Sequence, residues 1–271
     1  MDADSQGLKV TNLAMGYGPM QVIKQLTLPN LPPGTVTALI GPNAAGKSTL
    51  MRGLAGLQPT QGDVILDGRN LVHRPQLERA GQVTYLPQSL PARSRLGVFE
   101  AVLSAAMAGC PQLGLLGKGA GDDAVQAVEE TLKQLNLTEL ADRAVEGLSG
   151  GQRQLVGLAQ ALVRQPRVLM LDEPTSALDL YHQFQVIDMI GRETRHRRLI
   201  TLITLHDINL ALTCADLVLV LHQGKLASAG TPSMVIDGAL LARVYGVNGC
   251  VETVRGRPMV VVDGPVTGAE K

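Results

Sequence analysis

The stretch ALIGPNAAGKSTL, residues 38–50, constrains this chain more than any other. It fits G-x-x-x-x-G-K-[ST], with Gly41, Gly46, Lys47 and Ser48 at the fixed positions. Thr35–Ile40 before it is β-branched and apolar, which suits a buried strand, and Pro32, Pro33 and Gly34 mark a turn ahead of that strand. After it, Leu50, Met51, Leu54 and Leu57 recur at helical spacing. A glycine-bearing loop between strand and helix presents successive backbone N–H groups and a helix N-terminus to phosphate oxygens. Pro42, Asn43, Ala44 and Ala45 fill the loop and Thr49 follows it, with Ala44 standing where glycine is frequent. The expected ligand is a nucleoside triphosphate, with Lys47 on the β- and γ-phosphates and the Ser48 hydroxyl on Mg²⁺.

A second buried-strand run, Val168–Leu171, ends in Asp172-Glu173-Pro174. An apolar strand ending in a carboxylate is the Walker B arrangement, in which Asp172 holds Mg²⁺ beside the phosphate loop. Glu173, one residue on, is placed to polarise an attacking water.

The totals exclude several function classes. Among 271 residues, Lys plus Arg and Asp plus Glu both number 24, so the chain lacks the basic excess of a nucleic-acid binder. The one basic cluster, Arg192 to Arg198, reads as a solvated helix end. Cys110, Cys214 and Cys250 have no metal-type spacing and read as free thiols of a reducing compartment. The acidic start MDADSQGLKV has no apolar signal-peptide core, and no apolar run is long enough to span a bilayer. These features predict a cytoplasmic chain whose membrane spans, if it works at a membrane, come from other subunits.

EGLSGGQRQLVGLAQALVRQP, residues 146–166, separates this chain from other phosphate-loop sequences. Ser149, Gly150, Gly151 and Gln152 open a predicted helix whose apolar face is Leu155, Leu158, Ala159 and Leu162, with Pro166 beyond it. A serine and two glycines at a helix start form a second anion site. Two phosphate-type helix starts with one metal-type carboxylate strand suggest that the second serves the nucleotide of another copy.

LSGGQ resembles the signature of ATP-binding cassette (ABC) ATPases, and other motifs of that family follow in order over residues 8–232. Tyr17 is similar to the aromatic residue that stacks on adenine. Gln88, in TYLPQ, resembles the Q-loop glutamine. Ser176-Ala177-Leu178-Asp179 resembles the D-loop, and His206, after LITLITL, the switch histidine. The resemblance implies an α/β fold: a RecA-like P-loop NTPase core with an antiparallel β subdomain and a helical subdomain near residues 89–165. The cassette would span 1–236, followed by a short packed extension, 237–271, whose end GPVTGAEK is loose. Helices are expected over Val98–Met107 and Ala124–Leu135, with a glycine-rich loop at Gly109–Gly121 between them.

The resemblance further implies ATP and Mg²⁺ as ligands and a head-to-tail dimer with a second copy. Ser149 and Gly151 would touch the γ-phosphate held by the partner's Lys47, and Gly150 and Gln152 would complete that helix start. Glu173 would orient water, with His206 at the γ-phosphate and Gln88 at the metal and catalytic site. Asp179 would link the two sites. The Q-loop and helical subdomain would receive an integral membrane permease, and through it, indirectly, a substrate-binding protein. Nothing points to nucleic acid.

A transport engine competes with a soluble ABC protein acting on DNA, RNA or ribosomes. Coiled-coil insertions, CxxC pairs and a second cassette, usual in the latter, are absent from the sequence. An exporter with separate membrane subunits stays open. LDLYHQ (178–183), the run from LHDINLAL onward, and LLARVYGVNGCVE (240–252) resemble the iron-siderophore, haem and vitamin B12 importer group. MAGCPQLGLLG (107–117) departs from it, lacking a basic-aromatic segment, and leaves other metal chelates or metal ions in play as substrates. Peripheral attachment at the cytoplasmic face of the inner membrane is the expected location.

Overall fold

The computed structural model describes residues 6–88, 95–109, 120–176 and 178–266. The chain begins with antiparallel structure. β1 (Leu8–Tyr17) pairs with β2 (Met20–Leu31), and the pair departs from simple alternation. Register shifts put Leu8, Val10, Leu13 and Met15 on the buried side of β1, and Asn12 at the irregularity takes φ 51°. The bulge lets one apolar side stay turned inward although the sequence skips a step.

β3 (Thr35–Ile40) follows, and α1 (Lys47–Leu54) leaves from its end. Eight residues are too few for a stable isolated helix. Leu50, Met51 and Leu54 of α1 are wholly buried, each contributing about 1.5–3 kcal/mol. Leu57 had been expected on the same face, but the helix stops at Leu54 and Leu57 is half exposed. Gly56, at φ 76°, turns the chain beneath Arg79, whose guanidinium donates to the Gly53 and Leu54 carbonyls at 2.7 Å and caps the helix.

β4 (Gln61–Leu66) and β5 (Arg69–Asn70) complete a four-stranded antiparallel sheet of order β2-β1-β4-β5. Then come α2 (Gln76–Ala80), β6 (Val83–Leu86), α3 (Val98–Gly109), α4 (Ala120–Gln134), α5 (Gly150–Leu162), β7 (Val168–Leu171), α6 (Leu180–Arg197), β8 (Ile200–Thr204), α7 (Ile208–Cys214), β9 (Leu217–His222) and β10 (Lys225–Gly230). Gly109 belongs to α3, and α4 starts at Ala120 rather than Ala124, so both ends of the expected Gly109–Gly121 loop are helical; residues 110–119, including Cys110, lie outside the described residues, as does Ala177.

A six-stranded sheet of order β10-β9-β3-β8-β7-β6 forms the centre, with β3 between β8 and β9. All its pairings are parallel except β10 on β9. Both sides of its inner strands β3, β7, β8 and β9 are covered, which is why these read as nearly continuous apolar runs, whereas the edge strand β10 does not. Val36, Ala38, Ile40, Leu169, Leu171 and Ile203 face the helices α3–α7. Leu39, Val168, Met170, Ile200 and Leu202 face α1 and the antiparallel sheet.

The basic cluster at the end of α6 is only partly solvated. Arg197 pairs with Glu193 at 2.8 Å and donates to the Leu162 carbonyl at 2.9 Å, joining α6 to α5. Cys214 and Cys250 are free thiols, and burial pushes the first up to about 12.

After β10 come α8 (Pro232–Val235), α9 (Gly238–Leu240) and a hairpin of β11 (Val247–Val254) and β12 (Arg257–Pro265). Val251 and Val260 pack on the helical-side core, and the Val260 N–H donates to Asn209 Oδ1 at 2.7 Å. Gly264 and Pro265, expected to be loose, belong to β12 because they pair with Asn248 and Val247; residues 267–271 lie outside the described residues. Among the described residues no helix is long and apolar enough to cross a membrane.

Candidate nucleotide site

The phosphate loop occupies the turn from β3 into α1. Its glycines are required by geometry: Gly41 has φ 146°, and a Cβ there would sit 2.0 Å from the Leu221 carbonyl oxygen of β9. Gly46 has φ 103°, and a Cβ would meet Ile23 Cδ1 at 2.8 Å. Ala44 also takes a left-handed φ, 61°, which glycine would adopt without strain. The Ala45 carbonyl accepts from the Gly224 N–H at 3.0 Å, so the loop rests on the β9–β10 turn.

Pro42 is partly covered and Asn43 is exposed. Lys47 folds back over the loop, its Nζ donating to the Gly41 and Pro42 carbonyls at 2.7 and 3.0 Å. Burial lowers its pKa, opposed by Glu173 and Asp172. Thr49 is buried, and its hydroxyl lies 3.5 Å from the Tyr17 hydroxyl; the Tyr17 ring is half exposed beside the loop.

Across from Ser48 the strands β6, β7 and β8 end side by side. Their C-terminal ends are where ligands bind in open parallel sheets. Asp172 is buried and gathers three hydroxyls. Thr204 donates to Oδ1 at 2.8 Å, Tyr85 to Oδ2 at 2.8 Å, and Ser48 to Oδ1 at 3.3 Å. Burial and the neighbouring Asp172 push the Tyr85 phenol up to about 12.

Glu173 takes φ 50°, a conformation costing roughly 1–3 kcal/mol. Its N–H donates to Thr204 Oγ1 at 2.7 Å. Its carboxylate accepts from Gln88 Nε2 at 2.6 Å and pairs with His206 Nε2. The Gln88 amide also lies 3.3 Å from Ser176 Oγ. Sequence reasoning singled out Gln88, Asp172, Glu173 and His206, and the structure brings all four together. It missed Tyr85 and Thr204. The strands carry hydroxyls at Thr84 and Tyr85 in TYL and at Thr201 and Thr204 in LITLIT, and spacing alone does not say which of them reach Asp172.

The second helix start stands apart from the loop. Ser149 caps α5: its hydroxyl accepts from the Gln152 N–H at 3.3 Å, and its own N–H donates to Gln152 Oε1 at 3.0 Å. This reciprocal cap satisfies part of the helix start, and Gly150 follows it exposed. Asp179 caps α6, accepting from the His182 N–H at 2.9 Å. That bond and a second from the His182 ring hold the Asp179 carboxyl below its ordinary pKa. Among the described residues no hydrogen bond joins residues 149–152 to the phosphate loop of the same chain.

A strand–loop–helix phosphate cradle beside buried Asp172 defines a nucleotide-binding P-loop protein. A family profile described as "ABC transporter" matches residues 24–176, more than half of the chain, and the chain belongs to that family, whose ATPase domains bind nucleotide. It is 34% identical over 257 residues to the ferric enterobactin transport ATP-binding protein FepC of Escherichia coli K12, covering 94% of this chain and 93% of that one. It is 39% identical over 266 residues to the hemin import ATP-binding protein HmuV of Pseudomonas aeruginosa, covering 94% and 99%. A solved inward-facing structure, of an ABC transporter assigned to the metal-chelate type, superposes with a TM-score of 0.79 at 25% identity, over 96% of this chain and 97% of that one. The RecA-like core with antiparallel and helical parts is therefore the fold of this family.

Proposed function

We propose that this chain is the ATP-hydrolysing subunit of an importer that takes up a metal chelate, such as an iron-siderophore, haem or cobalamin, through separate membrane subunits. One observation carries the hydrolytic reading. Gln88, Glu173 and His206, from the ends of three neighbouring strands, meet at one carboxylate beside the Lys47 loop. The names of the relatives, one for ferric enterobactin and one for hemin, support the substrate class.

In this reading the loop amides of residues 41–48 and Lys47 bind the triphosphate, and Tyr17 lies against the base. Ser48 and Asp172 present only hard oxygen donors, one of them a carboxylate. That set fits Mg²⁺, which keeps several waters and takes one or two carboxylates plus phosphate oxygens. The ion would neutralise charge on the phosphates. Glu173 orients the attacking water and accepts its proton, while His206 and Gln88 hold that carboxylate in place and His206 touches the γ-phosphate. Ser149, Gly150, Gly151 and Gln152 act on the ATP of a second copy, and Asp179 lies across the same contact. Permease subunits receive the work at the cytoplasmic face of the membrane, with a substrate-binding protein beyond them.

A mixed dimer tests the arrangement. Pairing one Lys47→Ala chain with one Ser149→Arg chain puts both defects in one composite site and leaves the other intact. The closed mixed dimer should retain one ATP. If it assembles but retains none, the trans arrangement is wrong. Co-purification of the wild-type chain from membranes with a multispanning partner tests the transport reading; a wild-type chain recovered wholly without one counts against it.

A further inference from the structure

Gly151 is buried although Ser149 and Gly150 beside it are exposed. What covers it is the ring of His182, in the first turn of α6. A Cβ on Gly151 would lie 2.5 Å from His182 Cδ2 and 2.8 Å from Cγ, so the imidazole sits directly against the glycine. The same ring reaches the other way: Nδ1 lies 2.7 Å from Asp179 Oδ1. Tyr181 meets it edge-on, with centroids 5.3 Å apart and planes at 85°. One side chain therefore touches both the glycine of the second anion site and the carboxylate that caps α6.

From this geometry we infer that His182 is a positioning residue that makes the start of α5 and the start of α6 move as one unit. The inference rests on the composite dimer site proposed above and deepens it. A γ-phosphate engaged by Ser149 and Gly151 from the other copy displaces or holds the Gly151 backbone. Gly151 has no side chain to absorb the motion, so it is passed to the imidazole. The Nδ1 bond hands it to Asp179, which fixes where that carboxylate meets the partner. Without the ring, α6 keeps its cap through the His182 N–H, which donates to Asp179 Oδ1 at 2.9 Å, so folding does not depend on the contact. What is lost is the coupling between the two arms of the interface.

Two substitutions divide the contact. His182→Phe keeps a ring against Gly151 and loses the Nδ1 bond. His182→Asn keeps a nitrogen near the Nδ1 position and loses the ring. Each is made alone and in a Glu173→Gln background. The measurements are ATP affinity by calorimetry, thermal unfolding, ATP-dependent dimerisation by light scattering in the Glu173→Gln background, and kcat and KM of the single variants. Each variant should bind ATP and unfold like its parent, with KM unchanged. Each should lower kcat and raise the protein concentration needed for dimerisation by about tenfold, within the usual range of coupling between sites. A structural role alone would move the melting curve and leave this split absent. If both variants dimerise and turn over like their parents, the inference is overturned while the composite site stands. If Glu173→Gln alone stays monomeric with ATP, the composite site fails and the inference falls with it.

Discussion

Thr204→Val is the sharpest probe of the carboxylate cluster, because valine keeps the shape and removes only the hydroxyl. Thr204 is wholly buried, donates to Asp172 Oδ1 at 2.8 Å and accepts from the Glu173 N–H at 2.7 Å. A hydrogen bond to a charged acceptor is worth about 1.5–3 kcal/mol, and a stranded N–H costs about 1–3 kcal/mol more. The added methyl returns about 0.8 kcal/mol. Glu173 lies near the surface, where water relieves part of the N–H cost, so the net loss should be about 2 kcal/mol. Urea unfolding without nucleotide should show a lower midpoint at unchanged slope. Thr204→Ser keeps both bonds and is the control. Turnover should fall about tenfold or more in the valine variant and stay near wild type in the serine variant, because the Thr204 bond helps hold Glu173 in its strained conformation. Stability within about 0.5 kcal/mol of wild type for Thr204→Val, or a serine variant as slow as the valine one, would refute the reasoning.

Glu173→Gln keeps the shape and loses the proton-accepting carboxylate; ATP binding should persist by calorimetry while steady-state turnover drops by roughly 10²–10⁴-fold. Wild-type rates in that variant would remove Glu173 from the mechanism. Tyr85→Phe deletes the 2.8 Å bond to Asp172 and should lower stability at neutral pH. The phenol's pKa is raised from 10.0 to about 12, so between those values the unfolded chain loses its proton first and wild-type stability falls with rising pH. The gap between wild type and Tyr85→Phe, measured by urea unfolding, should therefore narrow across that window; a constant gap would contradict the assigned cause.

The parts of this site legible in the sequence are those written in short-range spacing. Gly41 to Ser48, the strand before them, the run into Asp172 and the face of α5 all follow from periods of two or 3.6 and from fixed loop positions. The antiparallel sheet could not be read that way, since the bulge at Asn12 shifts the buried series from Val10 to Leu13. Leu57 continued the helical spacing, yet Gly56, a local stop signal at φ 76°, ended the helix first, and the Arg79 cap from across the fold secured that end. Tyr85, Thr204 and His182 matter through what lies across the fold from them. Thr204 reaches Asp172 over 32 positions and Tyr85 over 87, and no local pattern carries such distances.

The seat of the phosphate loop has a consequence for how the chain is made. β3 lies between β8 and β9, and the Val36 N–H donates to Asp216, 180 positions later. The Leu221 carbonyl lies against Gly41, and Gly224 supports Ala45. The nucleotide-binding motif therefore emerges from the ribosome early and waits for its walls. At about 5–20 residues per second that delay is roughly 10–40 s. Until then the segment is an unpaired apolar strand and a glycine loop, and ATP has no finished cradle through which to assist folding. A nascent chain halted before β9 would carry every residue of the loop and bind no nucleotide, so the protein can first be charged only once β9 and the turn after it have been made.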